Sequence, residues 1–109
     1  MTSWSVSRDA EIDLMSIFLT GMEQFGLRRA ERYRDGLKRA FELLAQFPDM
    51  ARTRPEWPVT VRAFPHGSHV IIYEQVESGI LIVRVRHGLE DWINDLLVGD
   101  ADQTPGEAP

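Results

Sequence analysis

Arginine and histidine side chains collect near a predicted strand that ends at His87. Arg84 and Arg86 alternate along "LIVRVRHGLEDWINDL" (81–96), and Arg62 lies in an earlier predicted strand. Cleavage of RNA needs a base for the 2′-hydroxyl, an acid for the leaving oxygen and cations that stabilise the charge on the phosphate. Histidine and arginine supply such groups. These four residues are therefore candidate catalytic residues of a ribonuclease, provided that the fold brings them together.

The hairpin that carries these residues separates them. Two apolar strands, 68–76 and 80–87, flank "ESG", which predicts a three-residue turn with a bulge at Gly79. That turn pairs Val76 with Ile80 and brings His69 opposite His87, because paired side chains share a face. The face of His87 is predicted to hold Ile71, Tyr73, Leu81, Val83 and Val85, and the opposite face Val70, Ile72, Ile80, Ile82, Arg84 and Arg86. We therefore favour a structural or recognition role for the arginines over catalysis.

The face that carries Arg84 and Arg86 is also predicted to be apolar. Helices cover one face of the hairpin, so the other face is expected to form an apolar surface edged by arginines. Exposed apolar patches of this kind mark partner sites.

Helical periodicity dominates the first half of the chain. The patterns predict a strand at 4–7, a helix at 8–25 capped by Ser7, a helix at 28–47, a Pro-rich loop at 48–58, a strand at 59–64 and a turn at 65–67. Residues 89–97 are expected to form a short helix or an edge segment. The order β-α-α-β-β-β predicts an α+β domain, with an antiparallel sheet and an αα-hairpin packed on one face.

Composition narrows the functional classes. The chain has 109 residues, 43% hydrophobic residues, no cysteine and a net charge of -5. We expect one domain at 1–98, an acidic disordered tail at 99–109 and a cytoplasmic location. The acid excess argues against nucleic-acid binding through phosphates. The lack of a long apolar run argues against a membrane span.

Other candidate sites have structural interpretations that we prefer. His66, His69 and His87 could bind a metal, but the sequence offers no cysteine and no evident carboxylate near them, and no metal or cofactor is expected. Six basic residues in 28–39 could meet a protein or a phosphate, although a solvated helix face explains them. Among the tryptophans, Trp57 is expected to be the most exposed.

Four stretches, in this order and spacing, resemble the ParE toxins of the RelE/ParE superfamily. They are "AEIDLMSIF", "YRDGLKRAFELLAQFP", "VRAFPHGSHVIIYE" and "ILIVRVRHGLEDW", and together they span about residues 4–95. The resemblance implies a toxin that is neutralised by a ParD-type antitoxin and that inhibits DNA gyrase by binding to it. The related RelE-like ribonucleases carry a basic surface and a catalytic residue just after the last strand, where this chain has Gly88.

The resemblance also suggests roles for individual residues. The antitoxin is expected to bind Arg62, Val70, Ile72, Arg84 and Arg86, and the target to bind His87, Glu90, Asp91 and Trp92. Two alternatives stay open. One is a ribosome-dependent mRNA interferase, with His87 and the three arginines as its catalytic residues. The other is a non-toxic interaction module of the same fold.

Overall fold

The computed structural model describes residues 3–53 and 55–88. The elements are β1 (Ser3–Val6), α1 (Arg8–Phe25), α2 (Leu27–Gln46), β2 (Arg52–Thr53), β3 (Val61–His66), β4 (His69–Val76) and β5 (Gly79–His87). The strands form one sheet in the order β1-β5-β4-β3-β2. The predicted α+β class, with a helical hairpin on the sheet, is confirmed. The sheet is mixed, because β1 joins β5 in parallel while the other pairs are antiparallel.

Both helices begin and end where their local signals place them. The Ser7 hydroxyl accepts a hydrogen bond from the Ala10 N–H at 3.0 Å, which caps α1 as predicted. Gly26 has a φ of 92° and its N–H donates to the Met22 carbonyl, so the glycine ends α1 and the chain turns directly into α2. The predicted tail 99–109 and the segment 89–97 lie outside the described residues.

The main core lies between α2 and the sheet. Leu37, Phe41 and Leu44 of α2 are almost fully buried, and Trp4 of β1 meets Phe41 edge to face at 5.1 Å between ring centroids. The sheet side of this core is formed by Ile71, Tyr73, Ile80, Ile82 and Val85.

A bulge in β5 corrects the predicted register. His69 pairs with His87 as predicted, and the register holds as far as Ile72 and Arg84. Tyr73 then pairs with Ile82, which leaves Val83 as an extra residue on β5.

The register beyond the bulge was therefore wrong by one residue. Val76 pairs with Gly79 rather than with Ile80, and the loop contains two residues instead of three. A register shift of one residue turns the side chains beyond it to the other face of the sheet. Ile80 and Ile82 therefore lie in the helix-side core, although the sequence predicted them on the other face.

The second sheet face is partly covered. Trp57 is only 5% exposed and packs on Val61, Val70 and Ile72, which are also buried. The prediction that Trp57 is the most exposed tryptophan was wrong, because its side chain folds from the loop onto the apolar face of the sheet and is buried there. The loop at 48–58 also contributes β2 to the sheet.

Glycine is required at position 79 by the approach of β1. Gly79 has a φ of 151°, and a Cβ on it would collide with the carbonyl oxygen of Ser3, its partner across the parallel pair.

We expect Gly79→Ala to destabilise the protein by about 3 kcal/mol, since β1 must move away from β5. Gly26→Ala is the matched control, because Gly26 also has a positive φ but has open space around its Cβ. Its cost should be only the conformational penalty of about 1 kcal/mol. Chemical denaturation of both variants measures the difference, and equal losses would contradict a close β1–β5 approach.

Candidate functional site

Arg62 and Arg84, two of the four candidate catalytic residues, are held by different parts of the fold. Arg62 extends toward the loop before β2, where its guanidinium donates to the Ala51 carbonyl oxygen at 2.8 Å and to Asp49 Oδ1 at 3.3 Å. It holds the chain that links α2 to the sheet. This position separates it from the two arginines of β5.

Arg84 forms an ion pair with α1. Its Nε lies 2.8 Å from Asp13 Oδ2 and its Nη2 lies 3.0 Å from Asp13 Oδ1, so the contact is bidentate. Both side chains are largely buried. Bidentate arginine–carboxylate pairs fix orientation as well as charge, so Arg84 positions α1 against β5.

The same carboxylate completes the edge of β5. The strand β1 pairs with β5 only as far as Ile82. Beyond it, the Ser7 N–H donates to the Ile82 carbonyl at 2.9 Å, the Ser7 hydroxyl donates to the bulged Val83 carbonyl at 2.8 Å, and Asp13 accepts from the Val85 N–H at 3.0 Å. The beginning of α1 thus replaces β1 as the partner of this edge.

Sequence reasoning missed this role of Asp13. Its partners lie more than 70 residues away in the chain, so no local pattern joins them. The sequence did contain one signal for a buried role of Asp13. Its carboxylate lies within a stretch of apolar residues, three positions after Ala10, which is buried in the structure.

Histidines and a tyrosine form one cluster at the end of the β4–β5 pair. The rings of His69 and His87 lie 5.5 Å apart, which confirms their predicted pairing. The Tyr33 hydroxyl of α2 lies 2.7 Å from His69 Nδ1 and donates to the His66 carbonyl oxygen at 3.1 Å. The Tyr33 hydroxyl therefore links α2 to both β3 and β4, through the His66 carbonyl and the His69 ring.

The environment of the cluster favours uncharged side chains. Burial lowers the pKa of His66 below its ordinary value, and the nearby charge of Arg39 lowers it further. Burial raises the pKa of Tyr33, while a backbone hydrogen bond from Ser68 acts in the opposite direction. His66 and Tyr33 are therefore neutral at physiological pH.

A cleft of about 420 Å³ opens beside this cluster, between α1, α2 and the end of the β4–β5 pair. Its apolar wall includes Leu14, Ile17 and Phe18 of α1. Arg29 and Arg34 of α2 line it too, with their guanidinium groups over the rings of Phe25 and Phe18 at 4.9 and 5.1 Å.

Among residues 3–53 and 55–88, the side chains that line the cleft include arginines and histidines and no acidic residue. The sequence showed the basic run at 28–39 but assigned it to a solvated helix face. The signal that part of this run faces a groove was the presence of Phe18 and Phe25 on α1, which the guanidinium groups of the run contact.

The outer side of α1 is apolar and exposed. Ile12, Met15 and Leu19 are 60%, 65% and 51% exposed, and they follow one another at helical spacing. They line a shallow groove with the charged Arg8 and Glu11 at one end. An apolar stripe on the surface of a small domain is typical of a partner site.

The residues assigned to partner binding do not share one exposed surface. Val70 and Ile72 lie beneath Trp57, Arg62 and Arg84 hold structural contacts, and Arg86 pairs with Val70 across the β4–β5 ladder. Binding through these side chains stays a prediction. Of the target-binding candidates, His87 lies at the cleft, and Glu90, Asp91 and Trp92 lie outside the described residues.

Within residues 3–53 and 55–88, the structure has no group of three or more side chains arranged to hold a metal ion. No helix in the same part of the chain is long and apolar enough to cross a membrane.

We expect Asp13→Asn to lower the free energy of unfolding by about 2 kcal/mol, because the amide leaves the Arg84 charge and the Val85 N–H poorly satisfied. With Arg84→Met, the double mutant should lose less than the sum of the single losses. Asp35→Asn is the matched control, since Asp35 pairs with Arg34 at 3.6 Å on the surface and should cost under about 0.5 kcal/mol. Additive losses at Asp13 and Arg84 would contradict the ion pair.

Comparison with known proteins identifies the family. The sequence model of the family "ParE toxin of type II toxin-antitoxin system, parDE" matches residues 5–92. Toxin ParE1 of Caulobacter vibrioides (strain ATCC 19089 / CIP 103742 / CB 15) is 30% identical over 87 residues, which are 80% of this chain and 90% of that protein. The solved "Chromosomal ParDE TA system from P. aeruginosa" is similar in fold, with a TM-score of 0.67 at 20% identity, over 80% of this chain and 96% of that chain. The chain, with its β5 edge completed by α1 and its cleft between the helices, belongs to the ParE toxin family of type II toxin–antitoxin systems.

Proposed function

We propose that this ParE-family toxin inhibits DNA gyrase by binding to it, without catalysis, and that a ParD-type antitoxin neutralises it by covering α1. The observation that carries the proposal is the exposed apolar stripe of α1 in a domain whose catalytic candidates are separated. Both steps are contacts between proteins in the cytoplasm.

The exposed apolar side chains of α1 support an antitoxin site on this helix. Met15 is the most exposed of the three apolar side chains on the outer side of α1. Covering Ile12, Met15 and Leu19 would remove apolar surface from water, which is the main favourable term in association. Arg8 and Glu11 at the end of the stripe would set the register of the bound segment.

The positions of the candidate catalytic residues support binding without catalysis. A ribonuclease site requires its acid, its base and its phosphate clamps within reach of one scissile bond. Here Arg62 is held at the loop before β2 and Arg84 at α1, while His87 contacts His69 at the cleft. Three of the four candidates are thus held by contacts with different elements, which supports binding without catalysis.

The end of β5 and the residues that follow it are the proposed contact with gyrase. His87 ends β5 at the rim of the cleft, and Glu90, Asp91 and Trp92 follow it in the chain. We propose that these residues meet gyrase, because they continue directly from a rigid strand. Rigid supports give precise recognition sites.

The mRNA interferase is the second candidate, favoured by the cluster of Tyr33, His69 and His87 beside two cleft arginines. These groups include donors and acceptors of protons. Transcript cleavage and the SOS response distinguish this activity from gyrase inhibition.

We expect Met15→Glu to weaken the complex with the cognate antitoxin at least about tenfold, because a charge is buried at the centre of an apolar contact. Isothermal titration with purified ParD-type antitoxin measures this affinity. The control is Val59→Glu, at an 80% exposed position beside β3 and away from α1, which should leave the affinity unchanged. If the unmodified chain and both variants bind the antitoxin with equal affinity, α1 is not part of the interface.

We expect purified His87→Ala toxin to keep inhibiting gyrase supercoiling with a loss of no more than about tenfold, because the change removes one contact to gyrase. The loss of a catalytic proton transfer would instead cost about 10²–10⁴-fold. Induction of the unmodified chain should produce an SOS response with intact transcripts. Cut transcripts without an SOS response would support the interferase instead. The absence of any growth defect would favour the non-toxic module.

A further inference from the structure

The outer face of α1 is one continuous exposed surface along the whole helix. We define it by its exposed side chains, which recur alternately three residues and one residue apart. They are Arg8, Glu11, Ile12, Met15, Ser16, Leu19, Thr20 and Glu23. Because Ser16 and Thr20 are small, a second helix could approach the apolar side chains of this face closely.

The outer face is symmetric in sequence about its midpoint, which lies between residues 15 and 16. Each position has a counterpart at the same distance on the other side of this midpoint. The pairs of counterparts are Arg8 and Glu23, Glu11 and Thr20, Ile12 and Leu19, and Met15 and Ser16. When two identical helices cross antiparallel about a twofold axis at the midpoint, each residue faces its counterpart on the other helix.

These counterparts are chemically complementary. Across the axis, Ile12 meets the apolar Leu19 of the second copy, and the guanidinium of Arg8 meets the carboxylate of Glu23. Met15, the most exposed of the three apolar side chains, lies beside the axis. A parallel pairing would instead bring Arg8 onto Arg8 and Glu23 onto Glu23, and like charges in contact oppose association.

Arg8 and Glu23 cannot form this ion pair within one copy. They lie at the two ends of the same helix, about 22 Å apart at the helical rise. An ion pair needs its nitrogen and oxygen within about 4 Å of each other. The complementary ends of the outer face therefore favour contact between two copies.

We propose that two copies of this chain pair through the outer face of α1, with the helices antiparallel and Arg8 of each copy bound to Glu23 of the other. Three apolar side chains per copy make a small interface, so the dimer is weak and exchanges readily. The pairing itself does not depend on the proposed function. One consequence does rest on it, because an antitoxin that covers Ile12, Met15 and Leu19 must displace the second copy.

Charge reversal in the purified full-length chain tests the pairing. In the dimer, Arg8→Glu brings carboxylate against carboxylate at both ends of the interface, and Glu23→Arg brings guanidinium against guanidinium. We expect each variant to weaken self-association at least about tenfold. Sedimentation equilibrium of the chain alone measures the dissociation constant.

A mixture of the two variants restores the charge match. In a pair made of one Arg8→Glu chain and one Glu23→Arg chain, opposite charges face each other at both ends. We expect this mixed dimer to have a dissociation constant at least about tenfold lower than either variant alone. Sedimentation with a fluorescent label on one variant detects the mixed dimer, and a variant that had failed to fold could not produce it.

Glu77→Arg is the matched control. It makes the same charge change as Glu23→Arg, at an exposed position in the turn between β4 and β5. It should leave the dissociation constant of the dimer within about twofold, because charges distant from an interface are screened. It should also fail to restore association when mixed with Arg8→Glu.

Three results would overturn the pairing. The first is a chain that stays monomeric at millimolar concentration. The second is a dimer that neither charge reversal weakens, since the contact then lies on another surface. The third is a mixture of the two variants with no more mixed dimer than the Glu77→Arg control mixture.

These measurements contain neither antitoxin nor gyrase, so a failure of the pairing is distinct from a failure of the proposed function. If the pairing holds and Met15→Glu leaves the antitoxin affinity unchanged, the antitoxin site on α1 is wrong while the dimer stands.

Discussion

The carboxylate of Asp13 holds the molecule together at the point where β5 loses its neighbouring strand. Three hydrogen bonds from Arg84 and the Val85 N–H reach it, and Ser7 satisfies the two carbonyls before them. A strand edge that would otherwise be open is thereby completed by a helix. This contact fixes α1 at the edge of the sheet instead of over its centre, which α2 covers.

The surfaces of the domain follow from that displacement of α1. A helix at the edge of the sheet buries little of itself, and among its residues only Ala10 is fully buried. One side therefore remains exposed as the apolar stripe around Met15, and the other side borders the cleft. The stripe and the cleft both border α1, which polar contacts hold at its beginning and which packs on the core through Leu14 and Ile17.

The sequence predicted the helices, the Ser7 cap and the pairing of His69 with His87, because each depends on local patterns. It missed the β5 bulge, since Gly79 was assigned to the turn when its conformation serves the approach of β1. It placed Arg84 on a binding surface because Asp13 is 71 residues distant. The sequence also did not predict that Tyr33 contacts the histidines. The reason is the same, because α2 and the histidines are distant in the chain and meet only in the folded domain.

The pairing of β1 with β5 joins the first and the last strands of the part of the chain that the structure describes. During translation, Ser3–Val6 leaves the ribosome well before Gly79–Ile82 and has no partner strand until that segment has been made. At about 5–20 residues per second, the nascent chain spends several seconds without the strand that orders its beginning. In that interval Asp13 lacks its partners Arg84 and Val85, and the cleft lacks His87. A chain that ends before β5 therefore has no support for α1 at the edge of the sheet.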